Sequence, residues 1–495
     1  LTVDANGDAG WEAAAGGGID SDAKYNTVGG SSAGASFLTG NSNSTSAEHN
    51  TLFGHNAGGA ITNGDNNTAV GSNALDATTT GESNTAIGYL CLSDNTTGGA
   101  NVAVGTKALW NNTTAHGNTA VGKDALKQNT TGSKNTAIGA YTMEPAQTGS
   151  NNVAVGYDGL RNLTTGDDNT AVGYKALRST TTASDNIAIG YEALTANTTG
   201  GNNAVIGYKA HSTSTTANNN VAIGYEAMLD CTTGYKNVAI GVLALANHTT
   251  GNAQVAIGYK AGEKSTSSDN TFIGYEAGEQ STSGSANTAI GKQTLESNTT
   301  GGDNVAVGMW ALKKSTTADG NTAIGKYAGF EVTTGENNVF VGRNAANDVT
   351  TGDKNTVIGK SAGNEGTNDL TTGDNNILIG YEASASSATV SNEITLGDTA
   401  ITKFRVPGLN FSIKDSTATE DYVLTVDANG EAGWEAAGGG GATGAGGDSI
   451  FWENGQTVTT NYTITNNKNA GTFGPVTINS GITVTVGAGE HWTVI

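Results

Sequence analysis

Proline and cysteine are almost missing from this chain of 495 residues, which holds 3 of the first and 2 of the second. So little proline beside 73 glycines excludes collagen, whose triple helix needs a strict Gly-X-Y period and abundant proline. Charge is scarce too. Charged residues make up 14%, too few for a typical disordered tail, and hydrophobic residues 36%, too few for several thick cores. A thin, extended core fits better. Basic residues are the scarcer sign, 23 against 45 acidic, and the net charge of −22 would repel nucleic-acid phosphates and anionic membrane surfaces. Nucleic acid is therefore not expected as a partner. No run of about 18 apolar residues occurs, so membrane insertion is not expected either. The chain opens at Leu1 without a Met or a signal-like segment, which suggests an upstream piece either cleaved or lying outside this sequence.

What the chain has in abundance is repetition. A glycine closes an N-x-A-[IV]-G-like motif at Gly54, Gly71 and Gly88, and at every seventeenth residue from there to Gly258. The series resumes at Gly274 and ends at Gly397, with one step of 16 residues and one of 21 among steps of 17. Helical repeats need more than about 30 residues to hold two helices, so a 17-residue unit predicts β coils. The fold class expected is all-β: a parallel β-solenoid or β-roll, its coils tracing at most about 56 Å each and stacking into a rod of about 100 Å. Cys91 and Cys231 lie in coils eight periods apart, about 38 Å along such a rod and far beyond disulfide reach.

Strand alternation divides the motif between two faces. The residue before the glycine is almost always Val or Ile (Val70, Ile87, Val104, Val121, Ile138), and it is expected to line the interior. The residue before that is mostly alanine (Ala69, Ala86, Ala103, Ala120), small and apolar where a solvated face would be polar, as if packed closely against another surface. A second apolar seam recurs three and four residues after the glycine, as in Ala74-Leu75 and Ala108-Leu109. One chain with so thin a core would be marginal, and a homotrimer meeting through its alanine faces is the expected remedy.

Other positions form ladders. Four residues before the glycine stand Asn67, Asn84, Asn101, Asn118, Asn135, Asn152, Asn169 and Asn186, in a series that Gln254 interrupts before it resumes at Asn270. Stacked amides that hydrogen-bond from coil to coil are the expected role, ahead of a ligand site. A tyrosine follows the glycine in nine coils, including Tyr157, Tyr174, Tyr191, Tyr208 and Tyr225. Self-stacking or chain-to-chain packing is favoured for this stripe over a sugar-binding surface. The Thr-Thr-Gly turns suggest an ice-binding array only as a minor alternative, because adjacent threonines point to opposite faces. The Asn-Thr-Thr sequons at Asn95, Asn112, Asn129, Asn197 and Asn298 match the N-glycosylation pattern as a by-product of the repeat.

Catalytic chemistry is not expected, nor any cofactor or metal. The six histidines lack metal-ligand spacing and read as solvated or turn residues. Asp4, Asn6 and Asp8 mimic the start of a calcium loop, but Ala9 and Ala15 occupy the positions that need Gly and Glu, so a tight hairpin is expected there. Acidic residues are scattered along the coils rather than converging as a polysaccharide-cleaving site requires.

LTVDANGDAGWEAA at residues 1 to 14 recurs as LTVDANGEAGWEAA at 424 to 437, and each copy leads into a glycine-rich joint. The expected organisation is a hairpin and joint over 1–49, a solenoid shaft over 50–397 and a neck with a second hairpin over 398–437. A linker over 438–447 and a small β domain over 448–495 complete it. The NTAIG and NVAIG motifs resemble the β-roll repeats in the heads of trimeric autotransporter adhesins, although the 17-residue period is longer than their usual coil. The whole arrangement resembles tail fibre proteins of tailed bacteriophages, especially marine ones. That resemblance is carried by SNEITLG, YVLTVDANG and the ENGQTVTTNYTITNNKNAGTFGPVTINSGITVTV terminus. It implies a virion component: a homotrimer joined to other virion or fibre proteins at one end, contacting a host surface glycan or protein. A cellular surface adhesin or a self-assembling extracellular filament is the alternative. The 21-residue step, which inserts GTND at Gly366 to Asp369, is a candidate receptor-binding loop.

Overall fold

A computed structural model describes residues 2–3, 9–10, 19–21, 24–38, 47–364, 368–403, 422–426, 432–436, 457–458, 462–464, 470–472, 476–489 and 491–494. The glycine-rich joints lie outside the described residues, as do Gly366 and Thr367 of the insertion. The chain divides into a unit over 1–402 and a second over 403–495.

The first unit is a parallel β-solenoid. Each repeat supplies one three-residue strand, and 22 of them, from Thr27–Gly29 to Ile394–Leu396, pair in chain order. The pairing sets like residue over like: Thr136 opposes Val153, Ala137 opposes Ala154 and Ile138 opposes Val155. At about 4.8 Å per strand the stack is about 100 Å long. The irregular steps leave this register intact, since Val255 opposes Thr271 and Thr356 opposes Ile377. The connecting arcs absorb the missing or extra residues. One edge of the stack is covered by Ile19–Ser21, which runs antiparallel to Thr27–Gly29 and occupies hydrogen-bonding groups that would otherwise template further pairing. A one-turn helix, Ala35–Leu38, lies in the arc that follows.

Strands account for only three residues per coil, yet the arcs are bonded from coil to coil as well. Leu126 N–H donates to Thr142 O at 3.0 Å, and Lys175 N–H donates to Tyr157 O at 2.9 Å. This arrangement bends the backbone so tightly that non-glycine residues two and four places after the closing glycine take positive φ, as at Lys107 (58°) and Leu109 (52°). Each costs roughly 1–2 kcal/mol in isolation, and the stacked hydrogen bonds offset it.

The alternation within the strand is as expected, but its two faces are exchanged. Ala69, Ala86, Ala103 and Ala120 are fully buried inside the coil, whereas Ile87 is 40% exposed and Ile206 40% exposed. The alanine face is therefore not a surface through which chains could meet. The reason is volume. Leucines from the opposite arc, such as Leu75, Leu109 and Leu126, fill the interior and leave the strand room for only a methyl group. In several coils where the strand residue is large, the arc residue shrinks: Leu52 goes with Gly58, Phe272 with Gly278, Phe340 with Ala346 and Val357 with Gly363. A Cβ added at Gly262 would come 2.6 Å from the Phe272 ring, and one at Gly329 would come 2.7 Å from the Phe340 ring. Each phenylalanine thus takes space from two coils.

The second unit contains an antiparallel pair, Tyr422–Val426 with Ala432–Ala436. It also contains three parallel pairs: Thr457–Val458 with Thr477–Ile478, Tyr462–Ile464 with Val484–Val486, and Ala470–Thr472 with Trp492–Val494. Those offsets of 20 or 22 residues define two further stacked turns of chain.

Candidate interaction surfaces

The asparagine series lies wholly inside, with Asn67 through Asn186 fully buried. Each amide ties three successive levels together. Asn152 donates its backbone N–H to Asn135 Oδ1 at 2.9 Å and its Nδ2 to Gly166 O at 2.9 Å, while its Oδ1 accepts from Asn169 N–H at 2.9 Å. Asn67, Asn84, Asn101, Asn118, Asn135, Asn169 and Asn186 repeat the bond to the turn carbonyl at 2.7–3.0 Å. These side chains complete the backbone's hydrogen bonding and present nothing to a ligand.

A second amide ladder was hidden in the sequons. Asn112 Nδ2 donates to Asn95 Oδ1 at 2.8 Å and Asn129 Nδ2 to Asn112 Oδ1 at 2.9 Å. Asn95, Asn112, Asn129, Asn197 and Asn298 are all fully buried, so the folded coil shields them from glycosylation. The ladder continues through Ser214, Cys231 and His248, which are buried too. His248 and His211, expected to be solvated or turn residues, are instead core groups. Burial pushes the His211 imidazole down to about 3, helped by the nearby His248, and neither of its ring nitrogens has a partner. His248 is also lowered by burial, against the pull of the Ser265 and Gly251 carbonyls at 2.9 and 2.7 Å. Cys91 and Cys231 are free and buried, and burial raises both thiols to about 11, which holds them protonated and unreactive.

A pH dependence follows. In the unfolded chain His211 takes a proton below about pH 6.5, whereas in the fold it stays neutral down to about pH 3. Its contribution to stability is therefore complete above pH 6.5 and falls as the pH drops through that window, by at most about 1.4 kcal/mol per pH unit. His211→Leu, which installs the residue found at Leu194 one coil earlier, is expected to flatten that fall. Urea midpoints of both proteins at pH 7.5 and pH 5 test this, and parallel losses would contradict it.

The tyrosines stack upon one another. Ring centroids of Tyr157–Tyr174, Tyr174–Tyr191, Tyr191–Tyr208 and Tyr208–Tyr225 are 5.7, 5.1, 5.2 and 5.1 Å apart, with interplanar angles of 15° or less. Lys175 and Lys209 lie 4.8 and 5.6 Å from the Tyr174 and Tyr208 centroids. The ring faces are engaged within the ladder, so the stripe shows solvent its edges and hydroxyls rather than the open faces that a sugar ring stacks on. In most Thr-Thr turns the first hydroxyl is likewise engaged, as where Thr96 Oγ1 donates to Thr113 O at 3.0 Å.

Within the repeated coils, charged side chains stand outside the three-residue strands. Glu276, Glu279 and Glu296 bring carboxylate oxygens within 4.8 Å of one another, but Lys260 lies 3.2 Å from Glu279 and Lys313 lies 3.0 Å from Glu296. Lysine ammonium groups already supply the positive charge there. The outer strand face carries none: the residues three before and one before each closing glycine are Thr, Val, Ile, Ala, Phe or Leu in all 21 coils. Many of them are substantially exposed, including Ile187, Ile189, Ile206, Ile290 and Ile324.

These features define a structural class, the parallel β-solenoid of short repeats. Comparison with models of known protein families, with curated proteins and with solved structures gives no match to this chain. No helix among the described residues is long and apolar enough to cross a membrane.

Proposed function

We propose that this chain is the shaft of a homotrimeric adhesive fibre of the bacteriophage tail-fibre kind, a non-catalytic part that spans distance and carries a surface for a host-cell glycan or protein. An elongated solenoid suits a fibre, because identical turns stacked in register resist bending while adding length at a constant cost in residues. The observation that carries the trimer is the outer strand face. A strip two residues wide and about 100 Å long, free of charge throughout, is far beyond the scattered apolar residues of an ordinary surface. It could bury roughly 700 Å² per chain, shared in a trimer between its two neighbours. Three copies meeting through this face would enclose the Val and Ile rows along a shared axis and leave the arcs, with their charges and tyrosines, outside. The tail-fibre resemblance of the terminal segments supports the viral setting.

Sedimentation of the full chain tests the assembly, with a trimer expected. Replacing Ile189 and Ile206 together by lysine should release monomers, because these exposed side chains support no part of the coil interior and their charges would be stranded on the axis. A monomeric wild type would end the trimer proposal, and an open-ended polymer would favour a self-assembling filament instead.

A further inference from the structure

A cleft interrupts the outline of the shaft near its first coils. Eleven residues after each closing glycine, a side chain usually reaches back to the preceding coil. Asp167 Oδ1 accepts from Ser150 N–H at 2.7 Å, and Asp65 Oδ1 accepts from Glu48 N–H at 2.8 Å. In three consecutive coils this row reads Glu82, Gly99, His116. The missing side chain at Gly99 opens a cleft of about 380 Å³ lined by Glu82 of one coil and His116 of the next but one. Thr80, Thr97 and Ser83 complete its polar wall. Gly99 N–H donates to His116 Nδ1 at 2.9 Å. That bond leaves the proton on Nε2, so the ring can donate outward while Glu82 can only accept.

We propose that this cleft binds one sugar residue of a surface glycan, a pyranose that is neutral or carries an amine. The assignment rests on the adhesive-fibre reading and deepens it. A carboxylate acceptor, an imidazole donor and hydroxyls that do both match the vicinal hydroxyls of a sugar, each of which both donates and accepts. The volume is at the lower end for small-ligand sites and suits a single ring. A metal ion would face the imidazole N–H, a donor, beside a single carboxylate. Acidic sugars would meet Glu82 on a chain of net charge −22, so uronic and sialic acids are excluded.

The test uses the full chain and methyl glycosides of a neutral hexose, an amino sugar and a uronic acid, read by saturation-transfer NMR. Transfer to the first two and not the third is expected. Glu82→Gln should weaken binding about tenfold, the order expected for losing one charge-assisted hydrogen bond. Gly99→Leu, which fills the cleft without a positive φ to strain it, should abolish transfer. Gly201→Leu, at the same place in a coil six periods on, should leave it unchanged. Equal binding by Gly99→Leu, equal loss in Gly201→Leu, transfer to the uronide or none to any sugar would overturn the site. Adsorption of the same proteins to host cells separates the two ideas. Wild-type adsorption that survives Gly99→Leu removes the cleft's role and leaves the fibre, whereas no adsorption by any of them removes the fibre reading itself.

Discussion

Gly122→Ala is expected to destabilise the solenoid by about 3–5 kcal/mol, several times the effect of a typical surface substitution. Two costs add. Gly122 has φ of 138°, which L side chains rarely adopt, and forcing a residue into such a sparsely populated region costs roughly 1–3 kcal/mol. The new Cβ would also stand 2.5 Å from Gly139 O and 2.6 Å from Gly139 C. That neighbour is backbone, held in turn by its own coil-to-coil bonds, so relief requires prising two levels apart. Gly201→Ala is the matched control. Its φ is not positive and its nearest contact would be Ser184 O at 3.0 Å, so a loss below about 1 kcal/mol is expected. Urea denaturation of the three proteins measures the difference, and equal midpoints would show that the glycine row is not what sets the close stacking.

Asn152→Asp is expected to be at least as damaging, although it changes no atom's position. The carboxylate would replace the Nδ2 donor that now satisfies Gly166 O at 2.9 Å, Ser150 O at 3.0 Å and Asn135 Oδ1 at 3.2 Å. Three oxygens would then face a buried negative charge, and leaving a buried charge uncompensated costs about 3–5 kcal/mol. Asn152→Leu removes the charge but strands Gly166 O and Asn169 N–H, at roughly 1–3 kcal/mol each. Because each coil contacts only its neighbours, the damage should be local. Hydrogen exchange should accelerate over the coils closed by Gly139, Gly156 and Gly173, with those near Gly291 unchanged. Uniform acceleration along the shaft would mean that the levels are not independent units.

Both effects trace to ladders that the sequence displays openly, since a 17-residue period can only place like over like. The period, the strand, the closing glycine and the first asparagine series were all legible for that reason. Which strand face turns inward was not. Alternation separates Ala86 from Ile87 but carries no sign, and the usual preference for β-branched residues in cores points the wrong way when the interior is one methyl deep. The sign was nevertheless written in the sequence, in the exceptions. Phe272 is flanked by Gly262 and Gly278, and Phe340 by Gly329 and Ala346, which is the mark of positions that share one volume. The second amide ladder was masked for a different reason. Its Asn-Thr-Thr pattern has a well-known surface meaning, and only the buried placement of Asn95 and Asn112 overrides it. The cleft at Gly99 could not be anticipated, because an absent side chain in a polar row matters only once Glu82 and His116 are known to lie on either side of it.

The most direct test of the stacked-coil account is disulfide mapping by mass spectrometry on paired cysteine substitutions. In Tyr191→Cys/Tyr208→Cys the two positions lie one level apart, about 4.8 Å along the stack, and a disulfide is expected to form under mild oxidation without loss of fold. In Tyr191→Cys/Tyr225→Cys they lie two levels apart, about 9.6 Å, and both thiols should remain free. A second pair that closes as readily as the first, or a first pair that stays open, would contradict the in-register stack of 17-residue coils.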